Sequence, residues 1–165
     1  MNVLGVVGWS GSGKTTLIER ILPLLRAAGR TVSTVKHAHH GFDMDRPGKD
    51  SYRHRVAGAH ETLVVSGTRW ALLHEDSGPT PALPVLLARL DPVDLVLVEG
   101  FKTHPFPKLE VYRATLGKPP IWPGEREVVA LAVDASPPDM RACPPLLPLN
   151  DPAAVADWVL ARIGA

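Results

Sequence analysis

Asn2-Val3-Leu4-Gly5-Val6-Val7-Gly8-Trp9-Ser10-Gly11-Ser12-Gly13-Lys14-Thr15-Thr16 decides how this chain folds. Residues 2–7 are apolar and largely β-branched, which predicts a buried strand. Residues 8–15 fit G-x-x-x-x-G-K-[ST] at every fixed position. Glycines let the backbone curl until successive N–H groups point at phosphate oxygens. Lys14 can then reach the β- and γ-phosphates, and the Thr15 hydroxyl can ligate Mg²⁺. A helix beginning at Lys14 turns its positive end toward the anion. The bland alternative is a glycine-rich turn that only joins strand to helix, and the complete strand–loop–helix setting argues against it. Trp9 is unusual in so tight a loop. It reads as a ring packed over the mouth of the site, with base stacking as the alternative.

Working outward, Lys14–Ala28 predicts a helix whose apolar side carries Leu17, Ile18, Ile21, Leu22, Leu24 and Leu25. Pro23 falls inside it, and Gly29 suits its end. Thr31–Val35 predicts a second strand. Strand, helix and strand in that order make a βαβ unit with a right-handed crossover and a parallel sheet. Further on, 37–48 reads as a loop and Asp50–Ala59 as a short helix. Glu61–Val65 and Arg69–His74 form a hairpin around Ser66-Gly67. Pro81–Leu90 is expected to be helical. Leu95–Val98 is a continuous apolar run, as in a central parallel strand. Lys108–Arg113 and Val128–Val133 are further strands, and Asp151–Ile163 is a closing helix with Asp151 as its cap. The expected architecture is α/β, a three-layer fold of the P-loop NTPase kind with a mainly parallel central sheet, in one domain over residues 1–165.

Composition narrows the function. Hydrophobic residues are 45% and charged residues 21% of the 165, a globular balance that excludes a disordered chain. Eighteen Lys and Arg oppose 17 Asp and Glu, so nothing global points to nucleic acid or an anionic membrane. The single cysteine, Cys143, excludes an internal disulfide and a multi-thiolate metal site. No apolar run approaches the ~20 residues of a membrane span, and no leader is visible at the N-terminus. A soluble cytoplasmic protein is expected. Fifteen of the 17 prolines lie between Pro79 and Pro152, so long regular elements belong to the N-terminal part.

A phosphate loop needs an acidic partner for Mg²⁺ at the end of a neighbouring strand. Glu99 emerges at the carboxyl edge of the 95–98 run, where open α/β sheets bind ligands, and Gly100 lets the chain turn away. Asp94, at the opposite end, reads as a cap or turn residue. Asp43, Asp45 and Asp50 are weaker candidates for a metal or a second substrate, with loop solubility or capping as the alternative. Between Lys36 and His60 stand five of the seven histidines together with Lys36, Arg46, Lys49, Arg53 and Arg55. This segment reads as an anion or substrate site. A metal loop through His37, His39 and His40 and a solvated surface are the other readings. On a helix, Asp50 and His54 share one face and Arg53 projects elsewhere.

Several blocks together resemble the MobB family of molybdopterin-guanine dinucleotide biosynthesis adaptor proteins. They are the phosphate loop, Val35-Lys36-His37, Asp45-Arg46-Pro47-Gly48-Lys49-Asp50-Ser51-Tyr52-Arg53, Val56-Ala57-Gly58-Ala59, Leu97-Val98-Glu99-Gly100-Phe101-Lys102 and Pro107-Lys108-Leu109-Glu110-Val111-Tyr112-Arg113. The resemblance implies a P-loop fold of the signal-recognition and MinD-like branch, a homodimer, GTP and Mg²⁺ binding with weak hydrolysis, and assistance to a guanylyltransferase, MobA, that joins GMP to molybdopterin. It implies nucleotide binding by Gly11, Ser12, Gly13, Lys14, Thr15 and Thr16, with Lys36 beside them. Thr15 and Glu99 are implied as metal-binding, and Lys14 and Glu99 as catalytic. The Asn-Lys-x-Asp motif that commonly reads guanine is missing from the sequence. Asp134, just after the 128–133 strand, occupies a base-reading position, with Asp151 the runner-up. Two competing functions are a small-molecule kinase and a metallochaperone GTPase. The first lacks an arginine-bearing lid before Arg113, and the second lacks a cysteine in its histidine loop.

Overall fold

The computed structural model describes residues 1–38, 41–42, 44–75, 78–139 and 141–164. Along the chain the elements are β1 (Asn2–Val7), α1 (Lys14–Ala27), β2 (Val32–Lys36), α2 (Asp50–Val56), β3 (Glu61–Val65), β4 (Trp70–His74), α3 (Leu83–Leu87), β5 (Leu95–Glu99), β6 (Lys108–Tyr112), β7 (Val128–Val133), β8 (Leu146–Pro148) and α4 (Pro152–Ile163). Contacts gather into two compact units, Met1–His37 with Asp91–Ala165, and Ala38–Leu90.

The first unit is built on a six-stranded sheet in the order β2-β5-β1-β6-β7-β8. Every pairing in it is parallel. The apolar residues of β1 alternate between the two faces. Leu4 and Val6 join Leu95 and Leu97 of β5, Leu109 and Val111 of β6, and Ala130 and Ala132 of β7 on one side. That side is covered by Leu17, Ile18, Ile21 and Leu25 of α1 and by Val155, Ala156 and Val159 of α4. Each large aliphatic side chain so buried contributes about 1.5–3 kcal/mol as an upper estimate. On the opposite side Val7, Tyr112, Val128 and Leu131 form a smaller cluster, with Trp122 and Cys143 against it.

Helix ends follow from local chemistry. Gly29 adopts φ 77° after α1, and its N–H donates to Arg26 O at 3.0 Å while Arg30 N–H reaches Leu25 O at 3.1 Å. This closes the last turn as a glycine stop should. The Asp151 carboxylate accepts from Ala153 N and Ala154 N at 3.1 and 3.2 Å, and Pro152 stands first in α4. Asp94 ties the amino end of β5 to Thr31, accepting from its N–H at 2.7 Å and its hydroxyl at 2.8 Å. These bonds hold the Asp94 carboxyl below the usual carboxylate range.

Three elements differ from expectation. The second helix ends at Val56 rather than Ala59, because Gly58 turns the chain with φ 101°. The third spans only Leu83–Leu87, shortened by Pro81 before it and Pro84 near its start. Strand β8 was not expected: three residues that follow Pro145 and end in Pro148 carry no periodic signal, and the strand exists because β7 offers it a ladder.

The second unit pairs β3 with β4 antiparallel, with α2 and α3 in the same stretch of chain. Leu63 stands opposite Leu72, and Val65 opposite Trp70. Opposed residues of an antiparallel pair share a face, and these four are 59%, 45%, 67% and 65% exposed.

Candidate functional site

The site grows from the register of β1 against β5, in which Val6 is level with Glu99. The phosphate loop therefore leaves β1 beside the carboxyl end of β5. Gly8 begins the turn with φ 150°, in backbone space that side chains avoid. A Cβ on Gly8 would stand 2.6 Å from both Ser12 Oγ and Val111 O. Gly11 and Gly13 turn with φ 79° and 99°. The Lys14 ammonium folds back over the loop and donates to Gly8 O at 3.1 Å and Trp9 O at 2.9 Å. Burial lowers its pKa, and the Glu99 charge opposes that shift while Lys102 and Lys36 add to it. Ser12 is buried, and its hydroxyl has no hydrogen-bond partner among the described residues.

Thr15 Oγ1 donates to Glu99 Oε1 at 2.9 Å. Lys36, at the end of β2, places its ammonium 3.9 Å from Glu99 Oε2. The structure thus brings together Lys14, Thr15, Lys36 and Glu99 from three elements. A hydroxyl and a carboxylate side by side are hard oxygen donors. Mg²⁺ takes such donors sparingly, from one or two protein groups, and keeps several waters. The donor set fits that ion. Thr16 is exposed on the first turn of α1.

Asp134 lies elsewhere on the loop's rim. Its Oδ2 is 3.3 Å from Arg113 Nη1 and its Oδ1 accepts from Ala114 N at 3.0 Å. Arg113 in turn donates through Nε to Ser12 O at 3.3 Å. The aspartate therefore meets the phosphate loop through Arg113. Asp151, the second base-reading candidate, is the cap of α4.

Residues 3–134 match the family model of molybdopterin guanine dinucleotide synthesis protein B. The chain belongs to the MobB family. A molybdopterin-guanine dinucleotide biosynthesis adapter protein of Escherichia coli is 41% identical over 162 residues, covering 96% of this chain and 91% of the relative. The Haemophilus influenzae adapter is 44% identical over 71% of this chain and 66% of its own length. Among solved structures, a molybdopterin-guanine biosynthesis protein B is similar at a TM-score of 0.76 and 26% identity, with 97% and 99% of the two chains covered. Bacillus subtilis MobB matches at 0.74 and 28%, over 100% and 99%.

Within this MobB-family chain, residues 38–90 form their own unit. Asp45 accepts from Arg55 at 2.9 and 3.3 Å, and Glu75 lies 3.8 Å from the same guanidinium. Arg55 also covers the Tyr52 ring at 5.1 Å. Hydrogen bonding to Arg55 holds the Asp45 carboxyl below its ordinary range. Arg55 is thus committed to bracing this unit, whereas the sequence offered it as an anion donor. Asp50 is the first residue of α2, after Lys49 in the cap position. Arg53 is 3.7 Å from Asp50, so it leans to the same side of the helix instead of projecting away. This i,i+3 pairing is the ordinary reach of a long side chain.

His39, His40 and Asp43 of the histidine loop lie outside the described residues. His37 packs against the Phe101 ring, with centroids 4.9 Å apart. Among the described residues no group of three His, Cys, Asp or Glu could hold a metal.

Sequence reasoning missed Arg113 and Lys102 at the loop. Their signal was position alone, one residue past β6 and three past Glu99. The Trp9 ring is partly exposed and is tethered at its edge, where Nε1–H donates to Pro119 O at 2.7 Å.

Gly8→Ala tests the loop's geometry. Its Cβ must displace backbone or a buried hydroxyl, so the variant is expected to lose about 1–3 kcal/mol of stability. Urea unfolding followed by circular dichroism measures this, and an unchanged midpoint would contradict the close approach of residues 8, 12 and 111.

Proposed function

We propose that this chain is a GTP-binding accessory protein of molybdenum cofactor biosynthesis. In this reading it assists a separate guanylyltransferase of the MobA type in joining GMP to molybdopterin, and it hydrolyses GTP weakly with Mg²⁺. One observation carries the reading: a complete phosphate loop set against Glu99 through Thr15, in a chain whose Escherichia coli relative is a molybdopterin-guanine dinucleotide biosynthesis adapter over nearly its whole length. No helix among the described residues is long and apolar enough to cross a membrane, and the proposed setting is the cytoplasm.

The roles follow from the groups present. Backbone N–H groups of Gly11, Ser12, Gly13, Lys14 and Thr15 cradle the phosphates, and Thr16 follows on the same helix turn. Lys14 meets the charge of the β- and γ-phosphates. Thr15 and Glu99 hold Mg²⁺, which neutralises developing charge on the phosphate oxygens when bound. Glu99 also orients the attacking water, and Lys36 places a positive charge beside that carboxylate. Asp134 reads guanine. One carboxylate can accept from N1–H and the N2 amino group together, whereas adenine offers an acceptor at N1 and no N2 amino group.

Lys49 and Arg53 belong to the face that serves the partner or the anionic pterin. Arg53 is largely exposed and Lys49 is exposed beside it. The protein acts as a homodimer, and the apolar face of Leu63, Val65, Trp70 and Leu72 is the surface that a second copy covers. A lone two-stranded hairpin is marginal in water, and an exposed apolar patch of this kind marks an interaction site.

Calorimetric titration with GTP and ATP in the presence of Mg²⁺ tests the nucleotide site. Wild type is expected to prefer GTP. Lys14→Ala loses a charge-assisted contact, so its affinity should fall at least about tenfold. Glu99→Gln should lower turnover while affinity stays within a few-fold, and equal affinity for GTP and ATP would remove the guanine assignment. For the accessory role, Lys49→Ala with Arg53→Ala is expected to reduce stimulation of the guanylyltransferase in a coupled assay while GTP binding persists. Undiminished stimulation would place the partner surface elsewhere. For the dimer, sedimentation should show Leu63→Asp with Leu72→Asp shifted to monomer at concentrations where wild type is dimeric. A monomeric wild type would end that claim.

A further inference from the structure

Lys102 stands apart from the residues assigned so far. It follows Glu99 by three positions, across a turn whose backbone is held in left-handed space at two successive residues: Gly100 with φ 98° and Phe101 with φ 51°. A non-glycine residue there is uncommon and signals a conformation imposed by its surroundings. Those surroundings are identifiable. Gly100 N–H donates to Val6 O at 3.3 Å, tying the turn to the strand that feeds the phosphate loop. A Cβ on Gly100 would meet His37 Cβ at 3.0 Å, so only glycine passes this point freely. The Phe101 ring is held between the His37 and His104 rings, each with a centroid distance of 4.9 Å.

The outcome of this turn is the position of the next side chain. Lys102 Nζ lies 4.7 Å from the centroid of the Trp9 indole. Trp9 is the second residue of the phosphate loop, and its carbonyl accepts from Lys14 Nζ at 2.9 Å. Three ammonium groups therefore surround one loop residue: Lys14 at its carbonyl, Lys102 over its ring, and Lys118 farther out, 5.9 Å from the ring centroid. Like charges crowded on one residue are mutually unfavourable unless an anion sits among them or the indole face offsets part of the cost; Lys102, the nearer of the two over the ring, is also the one fixed by the turn after Glu99. A lysine in the Lys14 position meets the β- and γ-phosphates of a nucleotide. The residue that holds its ammonium thus marks the terminal-phosphate end of the loop, and Lys102 stands at that end.

We propose that Lys102 is a specificity-determining lysine of the nucleotide site, which meets the terminal phosphate together with Lys14 and so distinguishes a nucleoside triphosphate from the diphosphate. The Trp9 indole carries its ammonium by a cation–π contact, and the strained turn after Glu99 delivers it. This inference rests on the nucleotide-binding reading given above and adds to it the phosphate that is sensed.

The test titrates wild type, Lys102→Ala and Lys102→Arg with GTP and with GDP, each with Mg²⁺, by calorimetry. Circular dichroism confirms that the variants are folded. Wild type is expected to bind GTP more tightly than GDP. Lys102→Ala should weaken GTP about tenfold while GDP stays within about twofold, so the GTP-to-GDP ratio collapses. Lys102→Arg keeps the charge and the ring contact and should restore most of the ratio. Equal weakening of both nucleotides by Lys102→Ala would overturn the terminal-phosphate role, as would unchanged affinity for both. A wild type that binds neither nucleotide would remove the nucleotide reading and this inference with it, a result distinct from loss of the ratio alone.

Discussion

The parallel pairing of β1 with β5 is the constraint on which the site depends. Asn2 is level with Leu95 and Val6 with Glu99. The side-chain period of a strand is two, so a slip by one residue would send Leu95 and Leu97 to the wrong face and turn Glu99 away from Thr15. The penalty for such a slip is set by the core, since Leu4, Val6, Leu95 and Leu97 are all buried against α1 and α4. Packing far below the phosphate loop thereby fixes a hydrogen bond of 2.9 Å at its mouth. β2 extends the same logic, since Lys36 is level with Glu99 in its own pairing with β5. Charge placement at the carboxyl edge is a consequence of hydrophobic register.

Much of this was legible in the sequence because local and tertiary preferences agree. The 2–7 and 95–98 runs are apolar without interruption, the glycines fall where the loop needs unusual backbone, and Asp151-Pro152 is a helix start by its own chemistry. β6 was harder to read. Its residues Lys108 and Glu110 are charged, yet both are wholly buried. Lys108 Nζ donates to His104 O at 2.6 Å and lies 3.5 Å from a Glu125 carboxylate oxygen. Glu110 accepts from Ile121 N and Trp122 N at 2.7 and 2.9 Å. Burial nonetheless raises the Glu110 pKa against the pull of these donors. Partners 11 and 12 residues away leave no periodic trace, so the environment of such a strand is invisible until the chain is folded. The same holds for β8, which takes its form from β7.

The two units carry different kinds of surface. In the sheet unit the large apolar side chains of β1, β5, β6 and β7 are covered, Val3, Val129 and Val133 in part. In the 38–90 unit Leu63, Val65, Trp70 and Leu72 share an uncovered face of the hairpin, while Asp45, Arg55 and Glu75 form an internal ionic brace. The Asp45–Arg55 pair is two-pronged and largely shielded from water on the aspartate side, which sets it apart from the exposed Asp50–Arg53 contact. A removed partner would leave a shielded charge unmatched, and that is the costly case for ion pairs. The Asp45-to-Arg53 block that carries the family resemblance therefore contains both an architectural residue, Asp45, and exposed ones, Lys49 and Arg53. Sequence likeness alone does not separate the two classes, because both are charged and closely spaced.

The pairing of Asp134 with Arg113 bears on how a base could be recognised. Both carboxylate oxygens are already engaged, one by the guanidinium and one by Ala114 N–H. A guanine edge supplies two donors to the charged carboxylate, and bonds to a charged group are worth roughly 1.5–3 kcal/mol each, the same range as the guanidinium contact they would replace. Exchange of Arg113 for the base is therefore close to balanced at best if the arginine is left with nothing. It becomes favourable if Arg113 finds another anion. Arg113 Nε already donates to Ser12 O in the phosphate loop, and its Nη2 lies 3.4 Å from where a Cβ on Gly13 would stand. A phosphate bound in that loop is the anion nearest to hand. Base recognition through Asp134 would then be linked to phosphate binding through one guanidinium, with neither contact at full strength until both groups of the nucleotide are in place.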